Sequence, residues 1–166
     1  MGFFGEVLGK FIEGLFSGNS LVIIGATLAV LLPGIGSAKG VNMVARATAG
    51  LITEDPNKYG KSMLLQALPM TQGIYGMVTA FLIMIFSGVT GDVTLTVAQG
   101  AYYLIAALPI AFGGLYSAIK QAEVATAGIA VLAKRPDAVG KAVISASFVE
   151  LYAILALLIS LLLILL

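Results

Sequence analysis

The 166-residue chain has no cysteine and no histidine, and only 10% of it is charged. Without cysteine there is no disulfide framework and no thiolate metal centre. Without histidine the commonest metal ligand and general base is missing. With both absent, no nucleophile–base pair for an intramembrane enzyme can be assembled. A formal net charge of +1 gives no electrostatic case for a nucleic-acid partner. A cleaved leader is not expected either, because Glu6 precedes Lys10 and no long apolar core leads to a small-residue cleavage site. What the chain does have is apolar surface. It is 60% hydrophobic with a mean hydropathy of +1.06, more than a soluble domain of this size can carry.

Four apolar stretches, about 19–49, 59–88, 93–130 and 139–166, each exceed the roughly 20 residues a helix needs to cross about 30 Å of hydrocarbon. Lipid offers backbone groups no water, so such stretches span as helices. The fold class expected is an all-α membrane protein of four transmembrane helices in two hairpins, with no soluble domain. Residues 1–18 stand apart. Phe3, Phe4, Val7, Leu8, Phe11, Ile12, Leu15 and Phe16 recur at helical spacing, while Glu6, Lys10 and Glu13 take the other face. That pattern describes an amphipathic helix lying in the membrane interface, with Ser17–Ser20 as the break before the first span. The organisation expected is thus 1–18 as interfacial helix, 19–92 as first hairpin and 93–166 as second.

The two hairpins are copies. Residues 26–82 and 106–162 align at a constant offset of 80, with Gly34/Gly114, Ser37/Ser117, Ala38/Ala118, Pro56/Pro136, Gly60/Gly140 and Lys61/Lys141 among the identities. The copies differ where Glu150 of the second faces Met70 of the first. A duplicated hairpin with one carboxylate and one apolar counterpart points to an ion carrier with one site per two hairpins.

Equivalence also fixes topology. Thr53–Lys58 and Lys134–Asp137 are corresponding polar links, so they lie on one side of the membrane. Lys39, Arg46, Lys58, Lys61, Lys120, Lys134, Arg135 and Lys141 sit in these links or the helix ends feeding them, while the opposite link, 87–92, has no basic residue. The positive-inside rule puts both basic links in the cytoplasm of a multi-pass cell-membrane protein and both termini outside, with Lys10 the one dissent. The first and third spans are rich in Gly, Ala and Ser, which let helices approach closely in lipid. They are expected as a crowded inner layer with the second and fourth spans outside. Pro33, Pro69 and Pro109 are each expected to bend their helices.

Few groups within the hydrocarbon can do chemistry. Glu150, among Phe148, Val149, Leu151 and Tyr152, costs at least about 2.5–3.5 kcal/mol to insert, so its role is read as functional. Leu68, Thr71, Gln72 and Tyr75 share one face of the second span, at i, i+3, i+4 and i+7. Thr71 and Gln72 lie 15 and 16 residues after Pro56, Glu150 lies 14 after Pro136, and Gln121 lies 15 before Pro136. At 1.5 Å rise per residue all four reach a common depth of roughly 21–24 Å below the links, with Tyr75 one turn deeper. A carboxylate, a hydroxyl and two amides at one level form an oxygen-rich cage of one negative charge, suited to a hard monovalent cation. Neutral oxygens can replace a hydration shell, which Na⁺ requires; a proton needs only the carboxyl.

Gly34–Gly40, Leu68–Gly76, Leu108–Phe112 and Val149–Ile154 together resemble the duplicated proteolipid family of V-type ATPase membrane rotors, and more narrowly its bacterial sodium-translocating form. The resemblance spans residues 20–166. It implies a closed ring of identical copies, turned by ATP hydrolysis in a separate soluble head through central-stalk subunits. It also implies Na⁺ held by the Leu68 carbonyl and the side chains of Thr71, Gln72, Gln121 and Glu150, with Tyr75 hydrogen-bonded to Glu150, and a stator membrane subunit offering a basic side chain. Glu123 is a charge the family does not require, and is read as a helix-surface or lumen-facing residue paired with Lys120. Two other readings stay open: the same rotor carrying protons, and a four-helix small-molecule exporter with one essential glutamate. Against the exporter, both hairpins point the same way, and the polar set is too small for a drug.

Overall fold

The computed structural model describes residues 2–166, with side chains from Phe4 onward. Met1 and the side chain of Phe3, the first residue of the expected apolar stripe, lie outside the described residues. The order is α1 (Gly2–Leu15), α2 (Gly18–Glu54), a 3₁₀ turn (Pro56–Lys58), α3 (Tyr59–Ala67), a 3₁₀ turn (Leu68–Met70), α4 (Thr71–Ser87), α5 (Val97–Lys134) and α6 (Val139–Leu165). α2, the run from Pro56 to Ser87, α5 and α6 are long and apolar enough to cross a membrane. The protein is an all-α membrane protein of two helical hairpins.

Local chemistry explains where these helices begin and end. The break after α1 is shorter than the expected Ser17–Ser20, because Ser17 caps α2. Its Oγ accepts from the Ser20 amide at 3.3 Å, while Ser20 Oγ donates to the Gly14 carbonyl at 2.7 Å. At their other ends α2 and α5 run past the expected limits near 49 and 130. Asp55 and Arg135 stop them by leaving the helical region, with φ −142°, ψ 92° and φ −139°, ψ 76°. Each precedes a proline, whose ring disfavours α geometry in the residue before it. The resulting helices of 37 and 38 residues are roughly 55 Å long against about 30 Å of hydrocarbon, so both project beyond it. Of the three prolines expected to bend their helices, Pro33 and Pro109 sit inside unbroken α-helix. Only at Pro69 does the α pattern break.

α2 packs along α5 through glycine. A Cβ on Gly25 would lie 2.9 Å from Leu104 Cα, and one on Gly36 2.7 Å from the Leu115 carbonyl oxygen. These are backbone atoms that cannot move aside. α4 crosses α2 where Gly76 faces Pro33, and α6 crosses α5 where Gly113 faces Ala156. The ends are stapled. Asn19 donates to the Val93 carbonyl at 3.0 Å and accepts from the Leu95 amide at 2.8 Å. Opposite, Lys58 donates to the Ala133 carbonyl at 2.9 Å and Lys61 to the Pro136 carbonyl at 3.2 Å.

Two apolar clusters result. One gathers Val22, Ala29, Ile83, Ala106 and Ile110; the other gathers Val44, Leu65, Ala125, Ile129 and Leu132. The buried polar residues Ser37, Gln72, Ser117 and Gln121 fall between them along the helices. Away from this seam α4 and α6 present Ile74, Phe81, Phe148 and Leu155 outward, as helices facing lipid do.

Candidate ion-binding site

The site starts from a missing amide proton. Pro69 has no N–H to give the preceding turn, and the chain tightens to 3₁₀ geometry at Leu68–Met70, with the Thr71 amide donating to the Leu68 carbonyl. The Thr71 hydroxyl lies 3.0 Å from that same carbonyl oxygen and 3.3 Å from Gln72 Oε1. One hydroxyl proton thus serves two acceptors, and lone pairs are left over at this corner. The turn is anchored to α2 by the Gly73 amide, which donates to Ser37 Oγ at 2.9 Å.

From there a chain of hydrogen bonds crosses to α5 and α6. Gln72 Nε2 donates to Gln121 Oε1 at 2.7 Å and to Ser117 Oγ at 3.3 Å. Gln121 Nε2 donates to Glu150 Oε2 at 3.2 Å. Tyr75 Oη donates to Glu150 Oε1 at 2.7 Å. Both glutamines are fully buried, and each amide is spoken for, as buried polar groups require. The carboxylate accepts one bond at each oxygen and is half-buried. Thr71, Gln72, Gln121 and Glu150, matched by depth in the sequence, are therefore brought together with Tyr75 from one turn deeper, and the Leu68 carbonyl is one bond away.

Ser117 belongs to the same network, although depth and polarity along the sequence do not mark it as a site residue. It accepts from Gln72 and donates to the Val149 carbonyl at 3.1 Å, tying down the backbone immediately before Glu150. A signal was present, since Ser37 and Ser117 are identical hydroxyls at corresponding positions of the repeat. Lys120 and Glu123 pair as expected, Nζ lying 2.8 and 3.0 Å from the two carboxylate oxygens. Both are about half exposed, so this basic group is spent away from Glu150. In the first hairpin Met70 is 50% exposed and Val41 stands at the position of Gln121, so carboxylate and amide are both replaced by apolar groups.

The arrangement can hold a small cation beside a single carboxylate, or a proton on it. Residues 24–83 and 104–163 each match the ATP synthase C family, and the two matches stand at the same offset of 80. The chain is 49% identical over 148 residues to the V-type sodium ATPase subunit K of Enterococcus hirae, covering 89% of this chain and 92% of that one. It is 40% identical over 140 residues to the A-type ATP synthase subunit K of Methanocaldococcus jannaschii, covering 84% of this chain and 60% of that longer protein. These matches overturn the small-molecule exporter reading. The duplicated hairpins, their one buried carboxylate network and the two family matches have a single account: the chain belongs to the ATP synthase C family, as a non-catalytic proteolipid of the membrane rotor of a V/A-type ATPase.

Proposed function

We propose that this rotor subunit carries Na⁺ on Glu150 in a closed ring of identical copies, driven by ATP hydrolysis in the soluble head. The Leu68 carbonyl and the side chains of Thr71, Gln72, Gln121 and Glu150 supply the oxygens, and Tyr75 orients the carboxylate. The observation that carries this reading is the Leu68–Thr71–Gln72 corner, where three oxygens meet around one hydroxyl proton. A proton carrier has no use for those spare lone pairs, whereas Na⁺ needs them to replace its hydration shell. The sodium ATPase relative supports the same ion.

The carboxylate crosses lipid neutralised by its ion. A basic side chain on the stator membrane subunit displaces the ion and holds Glu150 ionised at the transfer point, and central-stalk subunits turn the ring. Both basic links face the cytoplasm and both termini the other side. The Lys58 and Lys61 bonds to the second link support this, since they hold the two links at one end of the molecule. α1 lies in the interface on the non-cytoplasmic face, with Phe4, Phe11 and Phe16 exposed for the lipid.

A carbodiimide attacks only a protonated carboxyl, so its rate at Glu150 reports which ion is bound. Na⁺ is expected to slow the modification, and less effectively as pH falls, because proton and cation compete for one carboxylate. Thr71→Ala and Gln121→Ala are expected to weaken protection strongly without touching the carboxyl. A rate indifferent to Na⁺ at every pH would make this a proton rotor, with the amides as hydrogen-bond partners only.

A further inference from the structure

The helices around the ion site are built differently on the side of the basic links. α2, α5 and α6 run past the site unbroken, whereas the remaining span breaks at Leu68–Met70 into α3 and α4. The counterpart of Pro69 in the second hairpin is Val149, inside α6, so one of the two outer spans is jointed and the other is not. The joint leaves its halves unequally held. α4 buries Gln72, Gly76, Thr79, Ala80, Ile83 and Ser87, and the Gly73 amide pins it to Ser37. α3 buries Ser62 and Leu65 alone. A cleft of about 280 Å³ opens beside it, lined by Val41, Tyr59, Met63, Gln66, Ala67 and Met70.

We infer that α3 is a hinged lid over the ion site, swinging about Leu68–Met70 to let Na⁺ pass between Glu150 and the side of the basic links. This rests on the Na⁺ reading above. The hinge follows from chemistry. Pro69 gives the Leu65 carbonyl no helical donor, so the joint lacks a bond that would stiffen it, and a few residues at the end of an element are enough to absorb a swing. The plug is Leu65. It is fully buried in the apolar cluster with Val44, Ile129 and Leu132. It lies so near Gly128 that a Cβ there would come within 3.1 Å of its Cδ2. That cluster stands between the amide–carboxylate network and the links, and a cation crossing it finds no ligand to replace its water.

The latch is at the far end of the lid. Lys58, immediately before α3, donates to the Ala133 carbonyl at 2.9 Å, and also reaches Asp55 of its own link at 3.4 Å. Lys61, in the first turn of α3, donates to the Pro136 carbonyl at 3.2 Å. Opening the lid breaks the two bonds to the second link and uncovers Leu65 and Ser62, while the side-chain ligands on α4, α5 and α6 keep their places. Leu68, at the joint itself, is the one ligand that turns with the lid. The ion therefore loses the Leu68 carbonyl in the same motion that uncovers its path.

The chain has no cysteine of its own, so introduced thiols report without background. Lys61→Cys with Asp137→Cys places thiols at two exposed positions on either side of the latch. In the purified, resting ATPase complex they are joined by a bis-maleimide whose spacer holds a cleavable disulfide. A monomer on denaturing gels is expected, showing a bridge within one chain, and multimers in its place overturn the latch contacts. The bridged complex is expected to release bound radioactive Na⁺ several-fold more slowly than before bridging, with the amount bound at saturation unchanged. Reductant is expected to restore the rate. Lys58→Met with Lys61→Met is expected to do the reverse, speeding release at the same saturation, and an unaltered rate in that variant overturns the latch. Release indifferent to the bridge overturns the lid and leaves the Na⁺ reading standing. A change in the amount bound without a change in rate makes α3 a structural support and overturns the lid as well. The absence of saturable Na⁺ binding before bridging overturns the Na⁺ reading itself.

Discussion

Ser117 holds the carboxylate from behind. At 5% exposure it receives a bond from Gln72 and gives one to the carbonyl preceding Glu150, so it couples the orientation of the amide chain to the position of the carboxylate. Removing one partner from a buried polar network leaves the others unsatisfied, at about 1–3 kcal/mol each. Groups that orient ligands from outside typically cost 10- to 100-fold in metal affinity when lost. Ser117→Ala is therefore expected to raise the Na⁺ needed to protect Glu150 from carbodiimide by about tenfold or more. Ser37→Ala, at the corresponding place in the first hairpin, removes a bond to the Gly73 amide and is expected to do less. Equal effects would show that Ser117 acts only through packing. That Glu150, Thr71, Gln72 and Gln121 meet, with Tyr75 one turn deeper, was legible because their depths agree across three spans. Ser117 was not, because a serine among Gly and Ala reads as close packing until its two partners are seen.

At the scale of the helix, the repeat made the number, order and mutual orientation of the spans readable. The overhang of α2 and α5 was hidden. Thr53, Glu54 and Lys134 look like link residues by polarity, yet they continue helices whose ends are set by Asp55 and Arg135 ahead of their prolines. Polarity marks where lipid stops, not where a helix does. α1 is joined to α2 through Ser17 and the Ser20–Gly14 bond, and its outer face is apolar, with Glu6 and Lys10 paired at 2.9 Å on the polar side. Its described residues pack on α2, away from the groups around Glu150 on α4, α5 and α6. Deleting residues 2–15, which leaves the Ser17 cap in place, is expected to lower the yield of assembled ring more than the turnover of complexes that do assemble. Quantitative membrane assembly alongside ATP hydrolysis per complex separates the two. Altered Na⁺ protection of Glu150 in the deletion would mean that α1 reaches the site.

For the whole rotor, one carboxylate per two hairpins sets the gearing. Each charge moved against 100 mV costs about 2.3 kcal/mol, so fewer charges per turn, at a fixed ATP per turn, allow pumping against a steeper gradient. Whether that gearing can be changed by one residue depends on what surrounds Met70. It has Val41 beside it in place of Gln121. A carboxyl introduced by Met70→Glu would meet the insertion cost of at least about 2.5–3.5 kcal/mol without the amides that hold Glu150 and without a matching oxygen corner. Met70→Glu is therefore expected to leave Na⁺ binding at one ion per chain, as counted by native mass or isotope binding on the assembled ring. The introduced carboxyl should react with carbodiimide at a rate indifferent to Na⁺, while Glu150 in the same ring stays protected. Two Na⁺ per chain would show that a carboxylate at this depth makes a site unaided, and that Thr71, Gln72 and Gln121 are dispensable to the ion.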